Sequence, residues 1–104
     1  SLASAIRISS DGRFIYTANR GHNSIAVLQI DEQTGKLTLV EHVSTEGDWP
    51  RDFSLDPSEK YLIVSNQKSN NLVLFTRDLS TGKLTLLQSD IIIPEPTCVK
   101  FISK

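Results

Sequence analysis

Short runs rich in Val, Ile, Leu and aromatic residues recur along this chain at 3–9, 14–19, 24–30 and 37–44, and again at 51–55, 61–66, 71–77 and 84–89. Turn chemistry separates them: Ser10-Asp11-Gly12-Arg13, then Arg20-Gly21-His22-Asn23, then Asp31 to Lys36. Runs of this length bounded by such residues predict β-strands. No stretch carries apolar residues at helical spacing without an intervening turn signal, so no helix is expected. Connections this short join antiparallel neighbours, which predicts a meander. The third run of each group is nearly continuous, as in Ile25-Ala26-Val27-Leu28 and Leu72-Val73-Leu74-Phe75. A strand with one wet face alternates; these runs predict sheets covered on both faces by neighbouring sheets.

The two groups are copies of each other. Residues 24–39 (SIAVLQIDEQTGKLTL) return as residues 71–86 (NLVLFTRDLSTGKLTL), and Arg13 to Asn19 answers to Lys60 to Asn66, all at an offset of 47. A period in the forties built from four strands is the signature of propeller blades. The expected architecture is therefore all-β: a β-propeller fragment with one blade at 1–49, a second at 50–96, and 97–104 as the innermost strand of a ring-closing blade. Pro94-Glu95-Pro96 mirrors Asp48-Trp49-Pro50 and introduces that last strand. The expectation is the C-terminal part of a longer propeller, the alternative being a short protein that builds a ring from several chains. Two blades leave apolar outer faces, so the fragment is expected to self-associate.

Composition narrows the function classes. With 38% apolar and 22% charged residues the chain reads as an ordinary globular domain. A net charge of -1, with both signs interspersed, offers no basic face for nucleic acid or an anionic bilayer. Apolar runs stay far below the roughly 20 residues that span a membrane, and no leader-like segment opens the sequence. Cys98 is the single cysteine, which excludes an internal disulfide and a cysteine zinc cluster. It lies in the strand-like run at 97–102 and reads as a buried structural thiol.

In a meander, alternate connections fall at the same end of the sheet. The loop Arg20-Gly21-His22-Asn23 therefore shares a rim with the linker Glu46-Gly47-Asp48-Trp49-Pro50-Arg51. That rim is the candidate site, because loops around a ring's opening commonly carry function. Arg51 follows Trp49-Pro50 into the innermost strand. His42 lies in an outer strand and takes no role. Asp11-Gly12, Thr34-Gly35 and Thr81-Gly82 are turn devices on the opposite rim. No phosphate-loop, dinucleotide, nucleophile-elbow or metal-ligand spacing occurs, so no cofactor or metal is expected.

The strings Ala5 to Tyr16 (AIRISSDGRFIY) and Ala18 to Ile25 (ANRGHNSI), with Pro50-Arg51-Asp52-Phe53 and Asp78 to Leu84 (DLSTGKL), resemble the bacterial lactonase family of seven-bladed propellers. Its members include 6-phosphogluconolactonase and the fungal carboxymuconate lactonising enzyme. The likeness covers essentially the whole chain and matches the family's last blades. It implies a cytoplasmic hydrolase of sugar-acid lactones, taking 6-phosphogluconolactone to 6-phosphogluconate in the pentose phosphate route. Carboxymuconate cycloisomerisation and a non-catalytic interaction platform are the alternatives. In the family a rim cluster of histidine, glutamate and two arginines is proposed to hold the substrate, one arginine lying in an Asn-Arg-Gly loop. The resemblance carries that role to Arg20, with His22 beside it as the second catalytic candidate. Arg51, in a Pro-Arg slot, and Trp49 are the substrate-binding candidates. Gln67 stands where another blade carries the glutamate, so no acid transfers there. The remaining members would come from blades outside this chain, and the fragment alone is expected to be inactive.

Overall fold

The computed structural model describes residues 3–19, 22–47, 50–66 and 71–92. Every regular element among them is a strand: β1 (Ala3–Ile8), β2 (Phe14–Asn19), β3 (Ser24–Ile30), β4 (Leu37–Ser44), β5 (Pro50–Leu55), β6 (Tyr61–Asn66), β7 (Asn71–Arg77) and β8 (Leu84–Ile92). They form two four-stranded antiparallel sheets, each in sequence order, β1-β2-β3-β4 and β5-β6-β7-β8. The predicted meanders are present. The strand expected at 97–104, with Cys98, lies outside the described residues. Three boundaries differ from the sequence reading. β5 begins one residue earlier, at Pro50, which pairs with Asn66. β1 stops at Ile8 because Ser9 already turns, its N–H donating to the Phe14 carbonyl at 3.0 Å. β8 continues past Ser89 to Ile92, because Leu72 and Asn71 still pair with Ile91 and Ile92 beyond irregularities in the ladder.

The repeat is visible down to single turns. Asp31 accepts the Gln33 and Thr34 N–H groups at 2.8 and 2.9 Å, and Asp78 accepts those of Ser80 and Thr81 at the same distances. Gly35 and Gly82 close these turns at φ of 75° and 74°, a conformation that penalises any Cβ. At the other turn the copies diverge: Gly12 has φ 72°, and Glu59 holds the equivalent position at φ 61°. Its carboxylate accepts the Ser10 N–H at 3.0 Å, a bond between the sheets that offsets the unfavourable backbone.

The core lies between the two sheets. Phe14, Tyr16, Ala18, Ile25 and Val27 from one sheet meet Phe53, Leu62, Val64, Val73, Phe75 and Leu84 from the other. Burial alternates along β2 and β7, so each sheet turns one face inward. Backbones converge along β1, β2 and β5, which places the first strand of each sheet on the inner side of a fan. Polar groups fix the pairing. Arg7 bonds Asp52 at 3.1 Å, and the Glu41 carboxylate accepts the Leu84 N–H at 2.9 Å. Deep in the interface the Tyr16 hydroxyl donates to the Gly82 carbonyl at 2.7 Å and accepts from Arg77 Nε. The Arg77 guanidinium also lies over the Phe14 and Tyr16 rings, 5.6 and 5.4 Å from their centroids. Burial pushes the Tyr16 phenol above its ordinary 10.0, against the opposing pull of Arg77.

Two faces remain open. Ile6 and Ile8 are each 58% exposed, whereas Phe53, the repeat of Ile6, is fully buried. On the other sheet Tyr61 is 41% exposed, whereas Phe14, which it repeats, is 1% exposed. The continuous apolar runs predicted cover on both faces; one face is covered here, and Ala26 and Leu28 on the other are half-buried. The contrast within each repeated pair marks where further blades would stack.

Candidate active-site rim

Alternate connections do fall at one end, and hydrogen bonds tie them together there. Both the N–H and the hydroxyl of Thr45, just past β4, donate to the Asn23 carbonyl in the β2–β3 loop, each at 2.8 Å. The Asn66 side-chain amide, at the end of β6 in the second sheet, donates to the Thr45 carbonyl at 2.8 Å. Asn71 Nδ2 donates to the Glu46 carbonyl at 3.1 Å. The rim is thus a polar seam across both sheets, and Thr45, Asn66 and Asn71 are all buried in it. Asn23 and Glu46 adopt positive φ, 51° and 54°, so loop and linker both bend sharply where they meet.

Of the four candidates, His22 is described and exposed. Its backbone N–H donates to Asn19 Oδ1 at 3.2 Å, an Asx-type turn that closes the loop. The Arg51 backbone belongs to β5, where Pro50 pairs with Asn66 and Asp52 with Ser65, so Arg51 is the extra residue of a bulge. Bulges of this kind recur beside active sites. Arg20 and Trp49 lie outside the described residues, as does Gln67. The structure therefore joins the loop of His22 to the linker that leads to Arg51, through residues that sequence reading passed over. Asn19 and Asn66 are the same position of the repeat, and their retention at both strand ends is the signal that could have found them.

Among the described residues no group of three His, Cys, Asp or Glu side chains is placed to hold a metal ion. A shallow depression beside Lys60, Tyr61, Thr76 and Leu79 opens at the opposite rim on an uncovered sheet face, remote from the seam. No helix of the described residues is long and apolar enough to cross a membrane.

Residues 1–101 match the family model described as lactonase, 7-bladed beta-propeller. The chain belongs to that family. A 6-phosphogluconolactonase of Bacillus subtilis is 57% identical over 102 residues, which is 98% of this chain and 29% of the relative. A crystal structure of a Lactobacillus plantarum protein superposes with a TM-score of 0.93 at 51% identity, over 97% of this chain and 29% of that one. A periplasmic gluconolactonase of Pseudomonas aeruginosa, PpgL, superposes with a TM-score of 0.89 at 35% identity, over 97% of this chain and 28% of its own. The chain thus spans under a third of the length of these relatives. The two sheets are accordingly two blades of the lactonase propeller, and the rim described here is one sector of its ring.

Proposed function

We propose that this chain supplies one sector of the active-site rim of a sugar-acid lactonase that hydrolyses 6-phosphogluconolactone to 6-phosphogluconate. The observation that carries this reading is the polar seam joining the Asn-Arg-Gly-His loop to the Trp-Pro-Arg linker, in a chain that belongs to the lactonase family. Water adds to the ring carbonyl to give a tetrahedral oxyanion, and collapse breaks the ring C–O bond as that oxygen takes a proton. Arg20 stabilises the oxyanion with a guanidinium fork, and His22 takes the proton from the attacking water. Arg51 pairs with the phosphate, and Trp49 bounds the sugar ring. A phosphorylated acid is too charged to cross a bilayer unaided, which favours a cytoplasmic enzyme.

Turnover of 6-phosphogluconolactone by a full-length protein carrying this sequence tests the proposal. Arg20→Ala is expected to lower kcat/KM about a hundredfold. Turnover of a carboxymuconate lactone instead would reassign the substrate. Absence of turnover with either would favour the alternative of a non-catalytic interaction platform.

The sector is completed by further blades on the open faces, and the isolated 104-residue chain associates with itself through them. Tyr61 repeats Phe14, and Gly35, which has nothing within 4 Å of an added Cβ, repeats the glycine on which Phe14 packs. Sedimentation velocity of the isolated chain should show association that Tyr61→Glu abolishes. A folded monomer at high concentration would refute it.

A further inference from the structure

We propose that Thr45 and Asn66 are positioning residues that set the Arg20–His22 loop of one blade against the entry to β5 in the next. The inference rests on reading Arg20 and Arg51 as substrate contacts, and its geometry is independent of that reading. The loop end at Asn23 is held from two directions. Asn19 Oδ1 accepts the His22 N–H and closes the loop on its own blade. Asn23 then offers its carbonyl to two donors of a single residue, the N–H and the hydroxyl of Thr45. Thr45 is fully buried, and its own carbonyl accepts from Asn66 of the neighbouring blade. Three residues thus form a relay from a loop on β2–β3, through the blade linker, to the end of β6.

The far end of the relay is also the start of β5. Asn66 pairs with Pro50, the residue before the Arg51 bulge. A displacement of Asn66 therefore moves the linker and the bulge together. Asn66 is completely buried, and its Oδ1 has no hydrogen-bond partner among the described residues. A buried amide with one unused acceptor is costly, and a hydrophobic residue would avoid that cost if packing were the position's whole task. Positioning accounts for an amide there, because only its N–H reaches the Thr45 carbonyl. Misplacement by about 1 Å of groups that orient a substrate costs up to about a hundredfold in rate.

Two variants separate the roles. Thr45→Val keeps the shape and the backbone N–H and removes the hydroxyl; Thr45→Ser keeps the hydroxyl. In the full-length lactonase, Thr45→Val is expected to lower kcat about tenfold with KM changed less than threefold, and Thr45→Ser to restore most of the loss. Equal kcat for Thr45→Val and the parent, per folded molecule, would overturn the proposal. A second readout needs no activity: in the 104-residue chain, Asn66→Leu should speed hydrogen exchange of the Thr45 amide at least tenfold while the Val73 amide in β7 stays protected. Unchanged Thr45 exchange would overturn the relay even if the enzyme proves to be a lactonase. A protein without lactone turnover, but with the expected exchange pattern, would retain the relay and remove only its assignment to that reaction.

Discussion

Gly82 and Gly35 are one position of the repeat, so an alanine at each separates the cost of the backbone from the cost of blade packing. Both glycines have positive φ, 74° and 75°, where an L-residue pays about 1–2 kcal/mol. At Gly35 the added Cβ meets nothing within 4 Å, so that penalty is the whole effect in the monomer. At Gly82 it would lie 2.5, 2.7 and 2.8 Å from three carbons of the Phe14 ring. Phe14 is 1% exposed and cannot swing out, so the ring or the blade must shift, an overpacking cost of about 1–3 kcal/mol. Gly82→Ala is therefore expected to destabilise by about 2–5 kcal/mol and Gly35→Ala by about 1–2 kcal/mol. Urea unfolding followed by far-UV circular dichroism, on monomeric samples, reads the difference. Equal costs for the two substitutions would show that Phe14 does not pack on the second blade at Gly82.

Further expectations follow from the interface and the turns. Arg77→Ile should cost about 2–3 kcal/mol, because it removes a buried donor and a cation over two rings. The double variant Arg77→Ile with Tyr16→Ile should cost less than the sum of the singles, since the repeat places Ile30 and Ile63 at these positions; an additive cycle in urea melts would refute the coupling. Asn66→Leu should lower the melting temperature by leaving the Thr45 carbonyl unpaired, and Asn66→Leu melting at the parent's temperature would refute that bond. On acidification the four turn aspartates act together. Asp11 is held below the usual 3.8 by the Ser9 hydroxyl and the Arg13 N–H. The N–H groups of Thr34 and Gln33 lower Asp31, and those of Thr81 and Ser80 lower Asp78. At Asp56 burial pushes upward, and the Ser58 hydroxyl with the Tyr61, Ser58 and Lys60 N–H groups outweighs it. A folded pKa below the unfolded one gives stability that is complete above the unfolded value and lost as pH falls through the folded value. Melting temperature should hold from neutrality to about pH 5 and fall below about pH 4, and Asp78→Asn should flatten that fall.

The meander, the strand positions and the shared rim are legible because they follow from short β-type runs and the turn residues between them, which repetition at 47 presents twice. What sequence left open lies where the copies differ. Arg77 repeats Ile30 and Tyr16 repeats Ile63, so neither announces its partner; only stacking of the blades brings the guanidinium to the phenol. Glu41 is likewise an ordinary strand acid until its carboxylate caps the Leu84 N–H across the interface. The rim was read through its charged residues, whereas its architecture rests on uncharged Thr45, Asn66 and Asn71. Thr45 and Asn71 answer to Ile92 and Ser24 in the other copy and bond backbone carbonyls, which carry no sequence signal; of the three only Asn66 recurs, as Asn19.

The central claim is that the repeats stack as consecutive blades with Phe14 seated on the second. A carbon-edited NOE spectrum of the labelled chain tests it directly. Cross-peaks between the Phe14 ring protons and both Gly82 α-protons are the predicted result. A folded spectrum in which Phe14 shows NOEs only to its own sheet would contradict it.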